Sequence, residues 1–262
     1  MTDSTRGVLY PERLPSMRRV PASGPVAELA AWFWAPVWDL ADGQESRQEI
    51  LAYPVSNLVV EASGATLWGA TTRVSARVLR GSGWAVGVVL RPAATAALTA
   101  EPVRLVDAHV ELGEPGLAAA VAALMPRDVD AAVAVVGEWL RSRVGALGGE
   151  ARLANDAAEL LMTDATILRL EDAARRLAVS SRTLQRIAHR SVGLSPAAMI
   201  RRRRLQEAAQ RVRDDPGSSL AAIAAELGYA DQAHLANDFR SVLGMTASRY
   251  RRDARTPLAR NA

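Results

Sequence analysis

The chain has 262 residues, room for two domains of ordinary size, with 49% apolar and 23% charged residues and a formal charge of +4. No apolar stretch approaches the ~18 residues of a membrane span, and the first twenty residues mix charges with prolines, so neither a membrane anchor nor a signal peptide is expected. The absence of cysteine excludes disulfides, thiol nucleophiles and cysteine-ligated metals, and fits a cytoplasmic location.

In chain order, the first thirty residues, with Pro11, Pro15, Pro21 and Pro25, read as an extended arm. Short strands are predicted over Trp32–Trp38, Glu49–Tyr53, Asn57–Glu61, Thr66–Gly69, Val74–Leu79 and Trp84–Arg91. Turns at Asp42-Gly43, Ser63-Gly64 and Gly81-Ser82-Gly83 part them, and the near-regular spacing predicts a small sandwich or barrel. After Pro92, alanine-rich helices are predicted at Ala93–Thr99, Gly116–Leu124 and Asp128–Val144. In the last, Val129, Val133, Val136 and Leu140 make one buried stripe, expected to pack within the domain rather than across a dimer. Gly145 and Gly148-Gly149 break the chain, which divides it into domains 1–147 and 148–262. Everything beyond reads as short helices, roughly 151–163, 170–177, 181–191, 196–213, 220–227, 232–243 and 246–252.

Charge divides along the same line. All 32 basic residues are arginine, which the codons of a GC-rich genome explain; their placement says more. Residues 1–150 hold 13 arginines against 16 acids, net −3, whereas residues 151–262 hold 19 against 12, net +7. A polyanion would therefore be met by the C-terminal half.

That half contains a repeat. Leu170, Ala174 and Leu177 answer to Leu220, Ala224 and Leu227 at an offset of 50; past the turn, Leu184, Gly193 and Ser195 answer to Leu235, Gly244 and Thr246 at 51. The pattern suits two helix-turn-helix units. Small Ala174 and Ala224 admit a close second helix, the leucines fill the wedge, and Ala178-Val179 and Gly228-Tyr229 make the turns. Ser195 and Thr246 stand where N-caps belong.

Three stretches of this half, Leu-Ala-Val-Ser-Ser-Arg-Thr-Leu-Gln-Arg (177–186), Val-Gly-Leu-Ser-Pro (192–196) and Ile-Arg-Arg-Arg-Arg-Leu-Gln-Glu-Ala (200–208), carry a likeness to a known family. So do Ile-Ala-Ala-Glu-Leu-Gly-Tyr-Ala-Asp-Gln-Ala-His-Leu (223–235), Asp-Phe-Arg (238–240) and Gly-Met-Thr-Ala-Ser-Arg-Tyr-Arg (244–251). Together they resemble the AraC family of bacterial transcription regulators over about a hundred C-terminal residues. Residues 49–113, with Val86-Gly87-Val88-Val89-Leu90-Arg91-Pro92-Ala93-Ala94, more weakly resemble the cupin-like sensor domain that precedes such units in actinobacterial members. The expected fold is α+β in two domains: an N-terminal β-rich, cupin-like barrel with flanking helices, and a C-terminal all-α domain with two helix-turn-helix units.

The resemblance implies a transcription regulator that binds double-stranded DNA, with the second helix of each unit in the major groove. The first unit would present Ser181, Arg182, Gln185 and Arg186, the arginines suiting guanine and the glutamine adenine. The second would present Gln232, Ala233, His234 and Asn237. Each set alone is also what a solvated helix face looks like; the repeat favours the functional reading. Relatives often carry threonine and arginine where this chain has Ala236 and Asn237, and proline at Ala247, which shifts expected affinity toward the first unit. A helix over 196–213, with Met199, Leu205, Ala208 and Val212 as its buried stripe, would join the units. Of Arg201–Arg204, Arg202 or Arg203 is expected to meet phosphate, and at least one of the others to pair with an acid.

The N-terminal half holds one histidine, His109, outside the predicted strands, so a three-histidine metal site is excluded and no cofactor is expected. An enzyme is the rival reading; the missing ligands oppose it, and a repair methyltransferase would need a cysteine. Trp32, Phe33, Trp34, Trp38, Tyr53, Trp68 and Trp84 place seven of twelve aromatic residues within 53 positions. They form either a core or a pocket for a small-molecule effector; strand alternation, which sets Phe33 opposite Trp32 and Trp34, favours the core. RNA polymerase and a second copy of the chain are the other partners the family allows.

Overall fold

The computed structural model describes residues 16–51, 54–215 and 217–254. Tyr53 and the first fifteen residues of the expected arm lie outside them. Nine strands come first: β1 (Ser16–Pro21), β2 (Ala30–Asp39), β3 (Glu45–Ile50), β4 (Asn57–Glu61), β5 (Gly64–Trp68), β6 (Ser75–Arg80), β7 (Ser82–Trp84), β8 (Val86–Leu90) and, after α1 (Pro92–Leu98), β9 (His109–Leu112). Then come α2 (Pro115–Leu124), α3 (Val129–Val144), α4 (Gly149–Thr163), α5 (Leu170–Arg176), α6 (Ser181–Ser191), α7 (Pro196–Asp214), α8 (Leu220–Glu226), α9 (Gln232–Leu243) and α10 (Ala247–Ala254). A β-rich N-terminal region precedes a helical C-terminal one, the α+β class expected.

The strands pair antiparallel in the order β1-β2-β8-β4-β5-β9, with β7 also on β2, while β3 and β6 form a separate ribbon. Among the described residues the sheet stays open, with β1 and β9 at its two edges, rather than closing into the barrel ladder expected. The end of the supposed arm is β1, and His109 lies in β9 rather than outside the strands. β1 shows no clean alternation of polar and apolar residues, as an edge strand with solvent beside it need not, and β9 alternates over only four residues.

Both faces of the sheet are covered, which is why all five residues of β8 are buried. On one face, Phe33, Leu58, Leu67 and Val88 pack against α2 and the α3 stripe of Val129, Val133, Val136 and Leu140. That stripe is thus an internal contact, as expected. On the other face, Val55, Ala70 and Val89, flanked by Trp32 and Trp34, pack against Ala158, Leu161 and Met162 of α4 and Leu184 and Ala188 of α6. Strand alternation therefore sorted Phe33 from Trp32 and Trp34, but the tryptophan side faces the helical region.

Two of the tryptophans lie over glycines of the neighbouring strand. Trp34 stands opposite Gly87 and Trp38 opposite Gly83. A Cβ added at either glycine would overlap the facing indole, so the empty position is a condition of the packing.

Polar contacts bind the sheet region to the helical one along several elements. The buried Asn155 side chain of α4 accepts from the Ala93 N–H at 3.0 Å and donates to the Glu28 carbonyl at 2.7 Å. Arg91 pairs with Glu159 at 2.7 Å. Gln206 of α7 donates to the Leu51 carbonyl at 2.9 Å, and the Val74 N–H donates to the Val242 carbonyl of α9 at 3.1 Å. Gly193, just after α6, sits so close to the Pro102 carbonyl that a Cβ would lie 2.7 Å from its oxygen.

Replacement of Gly87 by alanine is expected to cost about 1–3 kcal/mol of stability through overpacking against Trp34. Urea unfolding of the full chain measures this, and a loss under about 0.5 kcal/mol would show that the indole moves aside freely.

Candidate nucleic-acid interface

The repeat builds two like units. Helices α5 and α8 begin fifty residues apart, at Leu170 and Leu220, and both end in the same turn. The Val179 N–H donates to the Ala174 carbonyl, and the Tyr229 N–H to the Ala224 carbonyl. The turn needs a left-handed residue: Gly228 supplies it in the second unit with φ +71°, and Ala178 in the first with φ +53°. Wedge leucines Leu184 and Leu235 are fully buried. Ser195 and Thr246 cap α7 and α10 as expected, accepting from the N–H groups of Ala198 and Arg249. Ser180 and Asp231 cap α6 and α9 in the same way.

These caps fix how each second helix projects. On α6, Arg182, Gln185 and Arg186 are exposed together and Ser181 is half-buried at the start. His189 and Arg190 continue the same face one turn on, so the exposed surface is longer than the predicted quartet. Arg186 donates through Nη1 to Glu150 Oε1 of α4 at 2.8 Å. On α9, Gln232, Ala233, His234 and Asn237 are all exposed. The His234 ring stands edge-on to Tyr229 at 5.1 Å, and Asn237 Oδ1 accepts from Arg240. Spacing alone could have found Arg190 and Arg240, four and three residues beyond predicted members of each face.

Helix α7, between the units, departs from expectation. Its four consecutive arginines step ~100° apart, so they radiate around the helix. Arg203 is fully buried and donates to the carbonyls of Leu161, Asp164 and Ile167, closing the C-terminal end of α4. Arg202 is 5% exposed and donates to the Thr71 carbonyl at 2.7 Å. Burial pulls its pKa down to about 10 against the attraction of Asp107, which still leaves it charged at neutral pH. Arg201 reaches the buried Asp238 of α9 at 2.7 Å and Ser241 at 2.8 Å. Its pKa is raised by the hydrogen bond to Asp238. Arg204 lies 3.9 Å from the centre of the Tyr229 ring. The expected phosphate contact through Arg202 or Arg203 is thus replaced: both are sealed inside, where they donate to carbonyl groups. The expected arginine–acid pair exists, through Arg201.

Residues 173–253 match the family described as helix-turn-helix domain. They form a helix-turn-helix domain of the AraC type. With it the chain is a DNA-binding transcription regulator. Residues 18–111 match a domain of unknown function, DUF6597. No curated protein matches the sequence. Among solved structures, the C-terminal domain of AraT, a response regulator from Geobacillus stearothermophilus, is 22% identical. It aligns over 45% of this chain and 94% of its own at a TM-score of 0.37. ToxT from Vibrio cholerae is 14% identical over 84% of this chain and 97% of its own, at 0.45. ToxT bound to (E)-4-(8-methylnaphthalen-1-yl)but-3-enoic acid is 12% identical over 85% and 99%, also at 0.45. The assignment rests on the sequence match over 173–253.

Within the AraC-type domain the two units are unequal. Unit one offers three exposed arginines and a histidine on α6. Unit two offers one arginine on α9, already engaged by Asn237, and Ala236 beside it is half-buried. Ala247, in place of the family's frequent proline, still opens α10.

Two substitutions separate the frame from the face. Arg203→Ala should cost about 3–5 kcal/mol, because three carbonyls lose their donor and the half-buried Glu207 its ion-pair partner at once. Ala178→Gly should gain about 0.5–1 kcal/mol by relieving the left-handed strain. Chemical unfolding of the full chain reads both, and a neutral Arg203→Ala would refute the bracing role.

Proposed function

We propose that the chain regulates transcription by setting α6 and α9 into successive major grooves of one double-stranded site. Residues 148–262 act as its DNA-binding half and 1–147 as its sensing half. The carrying observation is the repeated pair of exposed helix faces on units joined by one buried helix. The 19 residues of α7 span ~28 Å, near the ~34 Å that parts successive major-groove faces.

In this reading Arg182 and Arg186 donate to guanine and Gln185 to adenine, with Ser181 at the helix start. Gln232, Ala233, His234 and Asn237 face the second groove, where fewer charges leave the second unit the weaker grip. Phosphate contact passes from the buried Arg202 and Arg203 to Arg190 and Arg240, which flank the two faces.

Modulation by a small molecule is supported by a groove of about 670 Å³ at the end of the sheet. Trp38, Trp84, Val37 and Pro126 line it, with Asp39, Glu61 and Arg77 at its rim. Arg77 and β6 run from this groove to Val74, whose N–H bonds the Val242 carbonyl of α9. A ligand that shifted the ribbon would therefore act directly on the second unit.

The DNA reading is tested on a site selected from random sequence, with the full chain and several salt concentrations. Arg186→Ala should cost about 1–3 kcal/mol and relax preference at one base pair. Arg190→Ala should weaken all sequences alike and lower the log–log salt slope by about one. The reverse pattern would place Arg186 on the backbone and overturn this docking of α6.

A further inference from the structure

We propose that Glu150 is a positioning residue for base recognition, holding Arg186 in the orientation in which it reads guanine. The proposal rests on the placement of α6 in the major groove given above.

Glu150 lies in the first turn of α4, where unpaired backbone N–H groups and the helix dipole favour its negative charge. It stands far along the chain from Arg186, yet its Oε1 accepts from Arg186 Nη1 at 2.8 Å. The two other arginines of the α6 face, Arg182 and Arg190, have no side-chain partner among the described residues. One arginine of the face is therefore held in place while the others remain adaptable. A guanidinium is a planar fork of five donors. A carboxylate on Nη1 occupies one corner and leaves donors on the far edge for two parallel bonds to guanine O6 and N7.

The charge of Glu150 points the same way. It is exposed on the rim of a face read as meeting a polyanion, where a carboxylate lowers affinity for every sequence. Such a group trades general affinity for discrimination. A carboxylate that merely steadied α4 would not need to face the recognition helix.

The test uses the full chain, the selected site and its single-base variants, and compares Glu150→Gln, Arg186→Ala and the double variant. Glu150→Gln is expected to tighten binding to unrelated DNA while lowering the preference for guanine at the Arg186 position by about threefold or more. In the Arg186→Ala background the same change should leave base preference untouched. Equal tightening on all sequences, with preference retained, would make Glu150 a simple repulsive charge and overturn the proposal. If Arg186→Ala itself left base preference unchanged, the placement of α6 would fail first, and the role of Glu150 with it. Thermal midpoints within a degree or two of the parent's would show that an exposed pair, not the fold, was altered.

Discussion

The guanidinium of Arg203 is the contact on which the helical region turns. It gathers three carbonyls from the end of α4 and the loop that leads into the first unit, at a buried to half-buried place. Those groups would otherwise be buried without donors, a cost far above the net worth of an ordinary hydrogen bond. From the same four-residue run, Arg202 grips the sheet region, while Arg201 and Arg204 grip α9 and the turn before it. Helix α7 is therefore less a linker than a hub, with charged spokes reaching each neighbouring body. Arginine suits the role because its charge persists on burial and its planar fork serves several acceptors at once.

Much of this architecture could be read from residue order. The fifty-residue offset locates both units, and the positions of Ala174, Leu184, Ser195 and Thr246 mark the wedge and two of the caps. Pattern failed where a residue's surroundings come from far along the chain. Nothing local in Arg201–Arg204 tells a phosphate ligand from a buried brace, since a run of arginines looks basic either way. Helical geometry did say that the four could not share one direction. The edge strands β1 and β9 escaped for a different reason: β1 has solvent on one side and does not alternate, and β9 is only four residues long. Glu150 escaped because its partner is 36 residues away and on another helix.

The aromatic residues illustrate how a local rule can be right and its interpretation incomplete. Alternation along β2 separated Phe33 from Trp32 and Trp34, and each side does meet a core. The second core, however, is shared with α4 and α6, so the tryptophan face is the seam between the β-rich and helical regions. Trp38 and Trp84, farther along, line the groove instead. The Gly83 and Gly87 positions allow this close stacking, because only a missing Cβ lets an indole lie flat on the neighbouring strand.

The contacts from Leu51 and Val74, at the ends of the β3–β6 ribbon, and from Thr71 and Pro102, in loops, fall on α7, α9 and the end of α6, so the β-rich region touches both units. Under the proposed docking, two reading heads tied to such a frame would not slide or swivel independently along a duplex. One base pair added between the two halves of a site rotates the second half by about 35° about the DNA axis as well as moving it along. A braced pair of heads must then twist the DNA or release one half. On that docking, phase as much as base identity would become part of what such a protein recognises.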